Sequence, residues 1–279
     1  AITLYAAYND LDEARFCVDR INQWFDHGGR LAEGAMLYRT SAQSRVLEDA
    51  LRQADLPYRV YGGFRFYERA EIKDALAYLR LAANRGDDAA FERIVNVPPR
   101  GIGQRSIDDV RDTAKRERIT LWEAARRLLD HKEMAARALG ALQRFLDLID
   151  RMSVAIDELP LAELLEHVIA QSGLVEHYRK EKGERGLDRI ENLEELVTAA
   201  RDFKPSPDDE DIPILAAFLT HAALESGEGQ ADAHSDCVQL MTLHAAKGLE
   251  FPQVFLVGVE EGLFPHQRSA ADPVQLEEE

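Results

Sequence analysis

Cysteine is nearly missing from this chain: Cys17 and Cys237 are the only two in 279 residues. Thiols that far apart make neither a disulfide framework nor the paired spacing of a zinc site, so a reducing cytoplasm is the expected compartment. No apolar run approaches the roughly 20 residues that a membrane span needs, and no membrane partner is expected. The first residues lack the basic, apolar and small-residue succession of a signal peptide. The chain opens at Ala1 and closes on Glu277-Glu278-Glu279, and both ends are expected to be cuts within a longer protein. Positive charge is scarce: 34 Lys and Arg stand against 51 Asp and Glu, a net charge of −17. A broad basic face is therefore not on offer, although a few local nucleic-acid contacts remain open. Also absent is any G-x-x-x-x-G-K-[ST] loop, the backbone cradle for nucleotide phosphates, and any Asp-Glu pair in a strand context that would hold Mg²⁺.

What is present is 46% hydrophobic and long enough for two domains, or for one domain with a large insertion. Residues 1–66 alternate in texture. Ile2 to Tyr8, rich in β-branched and aromatic residues, predicts a strand. Asp10 then opens an amphipathic run with Ala14, Val18, Ile21 and Phe25 on one face. Ala35 to Tyr38 is apolar without alternation, as in a buried parallel strand. A second helix follows with Val46, Leu47, Ala50 and Leu51 inward, and Tyr58 to Tyr61 predicts another strand. Residues 67–234 show helical periodicity throughout. Its stripes are Ile72-Leu76-Leu79, Leu142-Phe145-Leu146-Ile149, Leu161-Leu164-Leu165-Val168 and Leu193-Leu196-Val197. Pro205 to Asp211 predicts a solvated loop and Ser226 to Asp236 a linker. Residues 235–279 return to strand texture at Val238 to Leu243 and Val254 to Val257. The simplest topology is one α/β sheet made by both ends, with the helical block inserted.

Four segments carry candidate chemistry. In Tyr38-Arg39-Thr40-Ser41-Ala42-Gln43-Ser44-Arg45 a strand hands over to a helix, and a helix N-terminus at a strand's carboxyl end suits a phosphate. Thr40 or Ser41 could cap the helix and touch that phosphate, and Arg39 could add a charge-assisted bond. An ordinary capped helix with a surface arginine fits the same residues. In Gly62-Gly63-Phe64-Arg65-Phe66-Tyr67-Glu68-Arg69, rings interleave with arginines as along a single-strand path, Arg65 being the candidate contact. The alternative is a turn whose aromatics fill a domain junction. Arg100-Gly101-Ile102-Gly103 places an apolar anchor between two glycines before a helix. Exposed N–H groups there could hold a duplex phosphate without reading bases, and a tight interhelical turn fits as well. Most specific is Val238 to Phe251, where a strand runs into Thr242, His244, Lys247, Gly248 and Glu250 in close succession.

That last stretch, T-L-H-A-A-K-G-L-E-F, strongly resembles motif V of the UvrD/Rep/PcrA-type superfamily 1 DNA helicases, and the resemblance extends over nearly the whole chain. Glu191 to Leu196 and Glu228 to Asp232 lie nearest the UvrD branch. The resemblance implies a RecA-like α/β parallel-sheet domain (2A) with a large all-α inserted domain (2B). Residues 1–66 and 235–279 would form 2A, incomplete at its C-terminal end, and 67–234 would form 2B. It implies a 3′-to-5′ DNA-unwinding motor driven by ATP and Mg²⁺, in repair or replication, working in the bacterial cytosol close to the nucleoid. Glu250, with Gly248 beside it, would reach the ribose of ATP. Thr242, His244, Arg39, Thr40, Ser41 and Arg65 would contact single-stranded DNA. Arg100, Gly101, Ile102 and Gly103 would hold duplex at a duplex–single-strand junction. With no phosphate loop or metal carboxylates, this chain alone is expected to hold no cofactor, to carry no catalytic residue of its own and to be inactive. Its partner would be the N-terminal motor domain of the same protein, with repair proteins as candidate further partners. Two alternatives stay open: the helicase part of a RecB/AddA-type helicase–nuclease, and a non-catalytic helical interaction module.

Overall fold

The computed structural model describes residues 2–61, 63–181, 184–206, 211–227, 235–265 and 276–277. The Glu228 to Asp232 segment, Gly62 and most of the Pro205 to Asp211 loop and the Ser226 to Asp236 linker lie outside them. The chain divides into two compact units, residues 1–69 with 225–279, and residues 70–224.

The first unit is built on a parallel sheet. Helix α1 (Asp10–Asp26) starts at Asn9, whose side chain accepts the Asp12 N–H at 2.8 Å, and Asp10, Asp12 and Glu13 complement the positive end of its dipole. Strand β1 (Gly34–Tyr38), helix α2 (Ser44–Gln53) and strand β2 (Tyr58–Val60) follow. Strands β3 (Val238–Thr242) and β4 (Gln253–Leu256) come from the far end of the chain. The order is β2-β3-β1-β4 with every pairing parallel, so β2 and β3 are spatial neighbours although the whole second unit separates them in sequence. One face carries the core: Ala14, Val18 and Ile21 of α1 and Leu47 and Leu51 of α2 pack on Met36, Tyr38, Leu240 and Phe255. Each of the larger aliphatic side chains and the Phe255 ring, removed from water, stabilises the unit by about 1.5–3 kcal/mol.

The stretch Ile2 to Tyr8 departs from expectation, because it forms no strand. Ile2, Leu4 and Tyr8 are exposed, and Tyr5 instead stacks on Phe16 with ring centroids 3.8 Å apart. β-propensity says that a segment suits a pleated surface, but a strand also needs a neighbour for its backbone groups.

Among its described residues the second unit contains helices only. They are α3 (Ala70–Ala83), α4 (Asp88–Ile94), α5 (Gln104–Glu117), α6 (Leu121–His131), α7 (Ala136–Glu158), α8 (Leu161–Ser172), α9 (Leu174–Arg179), α10 (Glu184–Asp202) and α11 (Ile214–Gly227), whose last three residues belong to the sheet unit. All four apolar stripes read from the sequence are buried. The central helix is α3, which packs against α4, α7, α8 and α10. Its buried acids are matched by partners: Glu71 accepts from Asn192 at 2.7 Å, and Asp74 pairs with Arg93 at 2.7 Å and accepts from Tyr178 at 3.2 Å. Thr120 and Glu123 form a capping box that starts α6, and Asp87 caps α4.

Candidate nucleic-acid and nucleotide interface

The register of the sheet decides which loops meet. Tyr38 lies level with Thr242, and the Leu243 N–H donates to the Tyr38 carbonyl at 2.9 Å, so the loops after β1 and β3 leave the same carboxyl edge side by side. This brings Arg39, Thr40 and Ser41 next to Thr242 and His244. An open parallel sheet presents ligands at this edge.

The two loops are held differently. After β1, Gln43 folds back so that its Oε1 accepts the N–H groups of both Arg39 and Thr40 at 2.9 Å. The Ser41 carbonyl accepts from Arg69 Nη1 at 2.9 Å. Gly258, beside the Gln43 amide, has φ +69°, a backbone conformation that favours glycine. After β3 the chain winds through tight turns. Thr242 Oγ1 accepts the Ala245 N–H at 3.2 Å, and the Thr242 carbonyl accepts the Ala246 N–H at 3.0 Å. The Thr242 hydroxyl thus shapes the turn, and His244, Lys247, Gly248 and Glu250 are left exposed. Gly248 has φ +84° with open space where a Cβ would be, so backbone conformation is what calls for glycine there.

Glu250 stands apart from the edge cluster. Gln253, three residues on, is level with Gly34 at the amino end of β1. The segment after Thr242 therefore runs back along the sheet, and Glu250 belongs to this return leg. Its exposed carboxylate can accept hydrogen bonds from a diol.

Arg65 corrects the sequence reading. Expected on a strand path, it is only 4% exposed. Its guanidinium lies over the Tyr58 ring at 5.9 Å, with Nε 3.9 Å from Glu68. The short turn Phe66–Glu68 folds this side chain into the unit, so it supports the surface from beneath.

The Arg100–Gly103 hairpin belongs to the helical unit. Ile102 is buried at 2% exposure and anchors it, as the apolar residue between glycines predicts. Gly101 has φ +78°, while Gly103, the residue before α5, has an ordinary φ of −75° and open space around its Cβ position. Arg100 differs from expectation. Its guanidinium donates inward to the carbonyls of Pro98 at 2.9 Å and Ser172 at 2.8 Å, and to the Tyr78 hydroxyl. It also faces the Tyr78 and Phe145 rings. Arg100 therefore braces the hairpin, and the surface it offers is glycine backbone.

Three residues that the motif reading passed over organise the sheet's edge: Gln43, Glu48 and Arg69. Glu48 sits on the inward face of α2 and accepts from Ser44 at 2.6 Å and from the Phe66 N–H at 3.2 Å. Burial raises its carboxyl above the ordinary range, against the pull of Arg69, Ser44 and the Phe66 amide. A carboxylate on the apolar stripe of an amphipathic helix was the available signal.

Fold and edge together define a class: a parallel α/β domain with a unit, helical among its described residues, inserted between two neighbouring strands, and a polar cluster at the strands' carboxyl ends. The family described as UvrD-like helicase C-terminal domain matches residues 1–279, and the chain belongs to that family. It is 62% identical over 278 residues to DNA helicase II of Escherichia coli K12, covering all of this chain and 39% of that protein. It is 55% identical to DNA helicase II of Haemophilus influenzae, again over all of this chain and 38% of the relative. With the ATP-dependent DNA helicase PcrA of Bacillus subtilis it shares 40% over 285 residues, all of this chain and 38% of the relative. The chain thus spans about two-fifths of the length of the curated relatives it matches.

Proposed function

We propose that this chain is the second motor domain, 2A, with its inserted domain 2B, of an ATP-dependent 3′-to-5′ DNA helicase acting in the cell interior. The observation that carries the reading is the side-by-side exit of the Arg39–Ser41 and Thr242–His244 loops from one sheet edge, in a chain of this family. The sheet unit would be 2A and the helical unit 2B. Arg39, Thr40 and Ser41 would hold strand phosphates, and exposed His244 would meet the strand beside the Thr242 turn. The Gly101–Gly103 backbone would hold duplex phosphates at a junction. Such contacts position DNA without reading its sequence.

ATP, when bound by the whole protein, supplies the phosphoryl transfer that drives the motor. Exposed Glu250, beside the open backbone at Gly248, fits the ribose end of that nucleotide by accepting from its hydroxyls. Phosphate and Mg²⁺ contacts would come from the N-terminal motor domain, because such chemistry needs lysine, metal and arginine to converge on one phosphate. The test is His244→Ala in the full-length protein. DNA-stimulated ATP hydrolysis should fall about tenfold or more, with basal hydrolysis little changed. Equal loss of both rates would give His244 a packing role and remove the strand assignment.

A further inference from the structure

The chain leaves the sheet unit after Arg69 and returns inside α11 at Glu225. Both crossings are fastened to one helix, α2. On the outgoing side Arg69, 7% exposed, spreads its guanidinium over three acceptors: the Ser41 carbonyl at 2.9 Å, Ser44 Oγ at 2.6 Å and the Phe64 carbonyl at 3.3 Å. Ser44 in turn donates its hydroxyl hydrogen bond to Glu48, which lies 3.8 Å from Arg69 and also accepts the Phe66 N–H. On the return side Glu225, 8% exposed, meets Arg52 at 2.8 Å, near the other end of α2. The loop Arg39–Ser41 runs directly into this helix.

Buried ion pairs are a poor way to gain stability, since desolvating both charges offsets most of the attraction. What a forked guanidinium with several acceptors gives is geometry. Here the geometry ties the strand-side loop to the two places where the chain enters and leaves the helical unit.

We propose that α2 is a strut between the single-strand loop and both chain crossings, with Arg69 and Glu225 as positioning residues. Strand binding at Arg39–Ser41 then tightens the segment Phe64–Arg69 and the end of α11. This rests on the reading that Arg39–Ser41 contacts single-stranded DNA.

Hydrogen exchange on the full-length protein, with and without an oligothymidylate of about 16 nucleotides, tests it. Binding should slow exchange in residues 39–45, and also several-fold in residues 64–69 and 222–227. Protection at 39–45 with none at either crossing overturns the strut and leaves the strand reading standing. No protection at 39–45 overturns both. Arg69→Lys keeps the charge opposite Glu48 but cannot reach all three acceptors. It should weaken strand affinity about tenfold per folded molecule and abolish protection at 64–69 while sparing 222–227. Glu225→Gln should do the converse. Lower melting temperatures with affinity and protection unchanged would make both residues merely structural. Should Arg69→Lys fail to fold, the wild-type exchange pattern alone decides.

Discussion

The sheet's carboxyl edge and the Arg100–Gly103 hairpin are both candidate DNA surfaces, and they are built on opposite plans. At the edge the backbone is already occupied and what remains to offer is side chains: Gln43 takes the Arg39 and Thr40 amides, Arg69 takes the Ser41 carbonyl, the Arg39, Thr40 and Ser41 side chains are half-buried, and His244 is left exposed. At the hairpin the side chains face inward, Arg100 to carbonyls and Ile102 to the core, and glycine backbone is what remains outside. A surface made of side chains can change its grip by rotamer, whereas a surface made of backbone is only as good as its bracing. That difference also accommodates the net charge of −17. Neither plan needs a basic face, because one uses a few residues beside a helix start and the other uses N–H groups.

The sharpest break between the plans lies in their supports. Arg100→Ala should leave the Pro98 and Ser172 carbonyls without a donor and open space beside Tyr78 and Phe145, costing about 3 kcal/mol. Thermal melting should show this as a drop of several degrees, whereas exposed Arg105→Ala should scarcely move the curve. A melt unchanged in Arg100→Ala would mean that the hairpin stands without its brace.

The two glycines of the hairpin should separate next. Gly101→Ala places a side chain at φ +78° and should cost about 1–2 kcal/mol. Gly103→Ala, at φ −75° with open space, should cost nearly nothing in stability. Equal destabilisation by the two would show that space rather than backbone angle calls for glycine here.

The smallest effect concerns Glu48 beneath the strand-side loop. Its folded carboxyl holds a proton more tightly than the unfolded chain does, because burial raises its pKa. Stability from that proton is present below the ordinary carboxylate value, about 4.3, and is lost as pH rises through the raised value. Glu48→Gln should remove this slope, so wild type should lose more stability than the variant across that window. Parallel pH profiles would mean that Arg69 and the Phe66 amide keep the carboxylate charged throughout.

Much of this was legible in the residues themselves. Apolar runs bounded by turn residues gave β1, β3 and β4 to within a residue or so, and helical stripes gave the buried faces of α3, α7, α8 and α10, because periodicity reports burial directly. Periodicity carries no information about partners. Ile2 to Tyr8 has strand composition but no pairing strand, Arg65 looks like a surface cation until its burial over the Tyr58 ring is seen, and Arg100 does so until its carbonyl acceptors are seen. The Arg69 to Ser41 contact spans 28 positions, and nothing local announces it. Motif spacing located the carboxyl-edge cluster, but only the parallel register placed Thr242 beside Tyr38 and set Glu250 on the return leg.

The central contrast, strand held by side chains at the edge and duplex held by backbone at the hairpin, is tested most directly by titrating full-length Gly103→Val against two substrates. Nothing lies within 4 Å of where a Cβ would stand at Gly103 and its φ of −75° suits an L side chain, so the protein should fold and melt as wild type does. Affinity for a duplex–single-strand junction should fall, its salt dependence should drop by about one unit of log–log slope per lost phosphate, and affinity for single-stranded DNA should hold. An unchanged junction affinity in the folded variant, or equal loss on both substrates, would contradict the account.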